Sequence, residues 1–216
     1  MQRGLWLAHR LHPASPAYNL ASAYRLRGSL DAEALEAAFR QVVARHRLLR
    51  STYRVEGGEV RQIVHPAASV ILERLQAEPG NGLETALAEA RKPFDLEPED
   101  PSSGLLIRLV LVEEAGGGAR LLLLVLHHIV ADERSLELLW KEIDQILEGA
   151  QQGEPPAIQY DDYVAWERRR LAEHRERETG FWRRRLDPPP VAPTLPGGSS
   201  PGASPTVGGD TGLPGR

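Results

Sequence analysis

The sequence predicts an α/β fold: a two-layer sandwich with helices packed against a mixed sheet. Three features carry that reading. Strand-like apolar runs are interspersed with helical periodicities over residues 1–186. Residues 121–126, LLLLVL, are apolar without interruption, the pattern of a strand buried on both faces. Just beyond it, Leu136, Leu139, Trp140, Ile143 and Leu147 recur at helical spacing and form one apolar stripe.

The elements follow in order. Leu5, Trp6, Leu7 and Leu11 have a helical spacing that Pro13 and Pro16 interrupt. Residues 18–26 have strand character and end at Gly28 and Ser29. Asp31 is a candidate N-cap for a helix running to about His46, with Leu35, Ala38, Phe39 and Val42 on its buried face. Arg40, Arg45 and Arg47 bring positive charge to its late turns, where the helix dipole favours it. Residues 49–55 and 60–64 flank Glu56, Gly57, Gly58 and Glu59, a hairpin signal. Residues 70–75 fit a further strand. Residues 81–92 fit a helix with Leu83, Leu87 and Ala90 on one face, stopped by Pro93. Residues 105–112 and 120–126 read as an antiparallel pair turning through Gly116, Gly117 and Gly118. Residues 151–158 are a polar connector containing prolines, and 160–186 form a long helical pattern carrying Trp166, Leu171, Phe181 and Trp182. Its many arginines and glutamates read as a solvated face. From Asp187 onward proline and glycine dominate, and such a segment buries too little apolar surface to offset its ordering entropy. The expected organisation is a domain over 1–186 and a disordered tail over 187–216.

Composition narrows the function. With 41% hydrophobic and 26% charged residues among 216, the chain is an ordinary globular one. A net charge of −4 argues against a nucleic-acid surface. The absence of cysteine excludes disulfides, thiolate nucleophiles and cysteine-based zinc sites. No apolar run is long enough to span a bilayer. The N-terminus lacks the charged-then-apolar pattern of a secretory signal, so a cytoplasmic location is expected, with neither nucleic acid nor membrane as partner.

The candidate chemistry lies where the apolar strand ends, at His127 and His128, with Asp132 four residues after the second. Neighbouring strand side chains point to opposite faces. One imidazole therefore enters the body of the protein and the other faces a cleft or solvent. A lone histidine at a strand end is most often a packed or hydrogen-bonded core residue. Two histidines with a nearby carboxylate favour chemistry, because imidazole exchanges protons near neutral pH and needs a partner to fix its tautomer. Adjacent histidines facing apart make poor co-ligands, so no metal is expected.

Residues 127–133, HHIVADE, resemble the HHxxxDG signature of condensation domains of nonribosomal peptide synthetases, members of the chloramphenicol-acetyltransferase-like superfamily. Four further stretches follow that family's order. QRGLWL (2–7) resembles xQxxLWxL, and RHRLLRSTY (45–53) resembles RHExLRTxF. RKPFDL (91–96) is similar to the PFDL turn, and YDDYVAW (160–166) resembles YxDYAxW. Two positions depart: Glu133 stands where the family has glycine, and Arg47 where it has glutamate. The later motifs of the family have no counterpart. The resemblance therefore implies the N-terminal lobe only.

That family joins an acyl or peptidyl thioester donor to the amine of an aminoacyl acceptor, each carried on a phosphopantetheine arm of a carrier protein. The resemblance implies no directly bound cofactor. It implies carrier proteins as partners, together with a chain supplying the C-terminal lobe. His128 matches the catalytic histidine. Its role is left open among proton acceptor, positioner of the amine and stabiliser of the tetrahedral intermediate. His127 is expected to be structural. The resemblance further implies an ion pair of Asp132 with Arg50, holding the histidine loop to its neighbour. Glu133 is expected to add bulk and negative charge beside the site. Three functions compete: the catalytic lobe of an amide-forming enzyme that needs a second lobe, an inactive lobe that docks a carrier or synthetase partner, and a coenzyme A-dependent small-molecule acyltransferase.

Overall fold

The computed structural model describes residues 2–66, 70–98, 104–150 and 153–187. In chain order the elements are α1 (Gln2–Leu11), β1 (Asn19–Arg25), α2 (Ala32–Arg45), β2 (Ser51–Glu56), β3 (Glu59–Val64) and β4 (Leu72–Ala77). They continue with α3 (Gly82–Arg91), β5 (Ile107–Glu114), β6 (Arg120–His127), α4 (Glu133–Leu147) and α5 (Tyr160–Arg185). Four strands form a mixed sheet in the order β1-β6-β5-β4. β6 runs antiparallel to both its neighbours, and β4 runs parallel to β5. β2 and β3 form a separate hairpin. Its two turn residues, Gly57 and Gly58, sit at φ +58° and +81°, the left-handed conformation that a two-residue hairpin turn needs and that glycine alone adopts freely.

β6 is an inner strand of the sheet and is buried on both faces, as its uninterrupted apolar run predicts. Leu122, Leu124 and Leu126 join a core built with Leu35, Phe39 and Val42 of α2 and Leu139 and Ile143 of α4. Leu121, Leu123 and Val125 enter a second core with Ala86 of α3, Phe94, Leu96 and Tyr53. Period-two alternation thus distributes one strand between two cores. Each fully buried leucine or valine contributes about 1.5–3 kcal/mol, so the strand that ends in His127 is among the best-anchored parts of the fold.

Asp31 caps α2 as expected, its Oδ1 accepting the Glu33 and Ala34 amides at 3.1 and 3.0 Å. Several boundaries shift, among them β5, expected over 105–112 and found at Ile107–Glu114. Residues 47–50 form a 3-10 turn, so the hairpin begins at Ser51 rather than Leu49. Leu49 is buried in the core of α2 and α4, and the Ser51 hydroxyl donates to the Arg47 carbonyl at 2.8 Å, closing that turn. β4 begins at Leu72, two residues after the expected start.

The chain divides into two units, Met1–Val164 and Ala165–Arg216. The first holds α1 to α4, both sheets and the start of α5. In the second, Arg170 pairs with Glu178 at 3.5 Å, and Phe181 meets Trp182 edge-on. The predicted tail over 187–216 lies outside the described residues except for Asp187. Among the described residues no helix is long and apolar enough to cross a membrane.

Candidate functional site

β6 delivers the histidines to the loop that enters α4, and the strand's parity separates them. His127 shares the face of Leu121, Leu123 and Val125 and is only 2% exposed. It meets the His9 and Phe94 rings edge-on, with centroids 5.5 and 6.2 Å away, and the Tyr18 ring at 6.1 Å. The Ile129 amide donates to its Nδ1 at 3.1 Å. That nitrogen carries a lone pair, so the proton of the neutral ring is on Nε2. Burial, reinforced by His9 and then His128, pushes its pKa down to about 4. At neutral pH this ring is uncharged and packed away from solvent.

His128 is half-buried and has the opposite tautomer. Its Nδ1 lies 2.7 Å from the Ala131 carbonyl. A carbonyl only accepts, so Nδ1 holds a proton, and in the neutral ring the lone pair is on Nε2. Its backbone amide donates to the Tyr18 carbonyl at 2.7 Å. The ring lines a cleft of about 220 Å³ whose walls include Gln2, Leu5, Leu48, Asp132, Ser135 and Tyr160. A neutral imidazole with a lone pair beside a cleft accepts a proton or a hydrogen bond from whatever occupies it.

The loop between the histidine and α4 is fixed from several sides. Ile129 and Val130 are buried in the second core. The Gln2 carboxamide donates to the Ile129 carbonyl and to the Tyr53 hydroxyl, both at 2.9 Å. Tyr53 is itself buried, and burial, followed by nearby Tyr160, pushes its phenol pKa up. Gln2 thus ties α1, β2 and the histidine loop together through one side chain.

Asp132 is the N-cap of α4. Its Oδ1 accepts the Ser135 amide at 2.8 Å and the Ser135 hydroxyl at 2.6 Å. The same hydroxyl accepts the Asp132 amide at 3.2 Å, completing a capping box. The Ser135 side chain, then the Ser135 amide, holds the carboxyl below its ordinary pKa. The expected ion pair with Arg50 is corrected: among the described residues none joins these two side chains. The Asp132 carboxylate is taken up by the cap. Arg50 ends the 3-10 turn and donates from Nη1 to the His65 carbonyl, while the His65 amide donates to the Arg50 carbonyl at 2.9 Å. Arg50 therefore fastens the turn to the exit of β3 rather than to the histidine loop.

Glu133 opens α4 with an exposed side chain. Among the described residues none other than glycine has a positive φ, so this position needs no glycine. Its charge suits the positive end of the helix dipole. It is not among the residues lining the 220 Å³ cleft.

Arg47 has acidic partners from the start of α5. Its Nη2 lies 2.6 Å from Asp162 and 3.1 Å from Asp161. Gln159 adds an Oε1 that accepts the Arg47 amide at 3.1 Å and an Nε2 that donates to the Arg45 carbonyl at 3.1 Å. His46 sits beside these, its Nε2 at 3.0 and 2.9 Å from the two Glu142 oxygens. Sequence reasoning did not identify Gln2 or the His46–Glu142 pair as functional. Both lie in segments recognised for other reasons: Gln2 reaches Tyr53 and Ile129 far along the chain, and His46 meets Glu142 where α2 packs on α4.

Comparison with known proteins completes the assignment. The family model described as Condensation domain matches residues 1–212. The chain is 37% identical over 198 residues to a linear gramicidin synthase polypeptide of Brevibacillus parabrevis, covering 86% of this chain and 2% of that protein. It is 33% identical over 208 residues to the phosphinothricin tripeptide synthetase PhsC of Streptomyces viridochromogenes, covering 90% of this chain and 19% of that protein. It superposes on a chain from the complex of the X-domain and OxyB from teicoplanin biosynthesis with a TM-score of 0.75 and 30% identity, covering 90% of this chain and 44% of that one. The chain thus spans a small fraction of its synthetase relatives and less than half of that solved chain. The fold is chloramphenicol-acetyltransferase-like. By its family-model match and its likeness to these proteins, the chain belongs to the condensation-domain family.

Proposed function

We propose that this chain is the histidine-bearing lobe of an amide-forming condensation enzyme of nonribosomal peptide synthesis. A second lobe completes it, and carrier proteins with phosphopantetheine arms feed it. The observation that carries this reading is the tautomer of His128: with Nδ1 bound to the Ala131 carbonyl, its lone pair is on Nε2 in a ring lining the cleft. In the reaction the acceptor amine attacks the thioester carbonyl. The C–N bond forms, the C–S bond breaks, and the amine proton passes through His128 to the departing thiolate. An α-amine has a pKa of about 8, so part of it is neutral at pH 7 and no strong base is needed. Proton acceptance by His128 is worth roughly a hundredfold or more. No acyl-enzyme forms, which agrees with a cleft that contains no cysteine.

The experiment supplies the second lobe together with donor and acceptor carriers loaded with thioesters. Amide is expected with the native chain, and a loss of about a hundredfold with His128→Ala. Equal rates for the two would refute the role of His128. A second reading, a lobe that docks a partner without chemistry, is favoured by one specific observation: the half-length structural match is to a chain from a complex with OxyB. Carrier binding without amide formation, with the second lobe present, would establish that reading instead.

A further inference from the structure

The His128 cleft does not end at the loop. Leu48, Val130, Ser135 and Tyr160 line both the 220 Å³ cleft and a second one of about 200 Å³. The two clefts therefore adjoin along these four residues, and taken as one groove their combined volume falls within the roughly 300–1,000 Å³ typical of small-molecule sites. The second part has apolar walls that include Leu49, Leu138 and Ile158. Leu138 and Ile158 are 47% and 75% exposed, apolar surface that a bound apolar group would cover. Gln159, bound to Arg45 and Arg47, holds the Ile158 wall in place.

The far end is polar. His46 and Glu142 line it, joined by hydrogen bonds of 2.9 and 3.0 Å, and the Arg45 Nε lies 3.7 Å from the same carboxylate. A chain that grows along the apolar walls gains by removing methylenes from water. At the pair it must either stop or displace charge-assisted hydrogen bonds that a methylene cannot replace.

We infer that the groove from His128 to the His46–Glu142 pair receives the apolar side chain of the acyl or aminoacyl thioester whose carbonyl lies at His128, and that the His46–Glu142 pair sets the length of chain accepted. This rests on the proposed thioester chemistry.

The test, with the second lobe supplied as in the amide-forming assay, is calorimetric titration of the full chain with S-acyl pantetheines from acetyl to dodecanoyl. Affinity is expected to rise roughly fourfold per methylene while the groove fills, then to level off. Leu138→Trp fills the groove from an exposed position and should abolish the rise. Glu142→Ala should move the plateau to a longer chain, with circular dichroism confirming that both variants are folded. If affinity is independent of chain length, or rises identically in Leu138→Trp, the groove assignment fails and the thioester reading survives. If an unmoved plateau follows Glu142→Ala, the end-stop fails. If no acyl pantetheine binds at any length, the thioester reading fails with it.

Discussion

Lowering the pH from 7 to 4 protonates the histidines of the unfolded chain, whose ordinary pKa is about 6.5. In the folded chain burial holds His127 at about 4. Between those values the unfolded state binds more protons, so stability is complete above pH 6.5 and falls as the pH drops towards 4. At about 1.4 kcal/mol per pKa unit, the loss approaches roughly 3 kcal/mol as an upper bound. His9, which meets His127 edge-on and is also held below its ordinary value by burial, adds to the loss in the same direction. Asp132 acts in a separate window. Its depressed carboxyl is lost as a stabiliser only as the pH falls below about 4. The informative variant is His127→Asn, whose Oδ1 can accept the Ile129 amide in place of Nδ1 while removing the titration. Urea denaturation of both proteins at half-unit steps from pH 7 to 4 reads the difference. The native chain should lose up to about 3 kcal/mol more than the variant over that range. Parallel pH profiles, or an imidazole resonance of His127 titrating near 6.5, would refute the burial of a neutral ring at this position.

Three further changes separate the structural devices around the cleft. Asp132→Ala removes the cap of α4 and should cost about 1 kcal/mol in urea, with Asp132→Asn retaining most of it; a loss of roughly 3–5 kcal/mol would instead indicate a broken buried ion pair. Arg47→Glu sets a carboxylate against Asp161 and Asp162 and should destabilise the chain by up to about 1 kcal/mol, an effect that shrinks at high salt; no dependence on ionic strength would contradict the ion pairs. Gln2→Leu leaves the Ile129 carbonyl without its donor and should cost about 1–3 kcal/mol. Amide exchange in residues 128–131 should accelerate with it, and unchanged exchange would show that α1 does not hold the loop.

The elements and the histidine division were legible in the sequence because both follow from local periodicity. The run over 121–126 specifies a doubly buried strand, and a period of two then sends His127 and His128 to different environments. Asp31 and Gly57-Gly58 were equally legible, since capping and left-handed turns are decided within a few residues. What failed was a pairing across the chain. Asp132 and Arg50 are opposite charges in two separate motifs, but each has a nearer partner, Ser135 at i+3 and the His65 carbonyl at the exit of the hairpin. Local hydrogen bonds to backbone are made without closing a long loop, and they won. The Arg47 contacts with Asp161 and Asp162 were not legible for the converse reason, because nothing local announces that the start of α5 returns to the 3-10 turn.

The role of Asp132 as a helix cap bears directly on the proposed chemistry. In a Ser-His-Asp arrangement a buried carboxylate both fixes the imidazole tautomer and stabilises the imidazolium. Here the Ala131 carbonyl fixes the tautomer of His128, and the Asp132 carboxylate is occupied by the helix cap. The Ala131 carbonyl thus leaves Nε2 as the acceptor of the neutral His128 ring, the feature on which the proposed chemistry rests. Because tautomer and cap rest on different atoms, Asp132→Ala should lower stability while leaving His128 an Nε2 acceptor. Nitrogen-15 shifts of the His128 ring, still reporting Nδ1–H after that substitution, would confirm the separation; a switch to Nε2–H would overturn it.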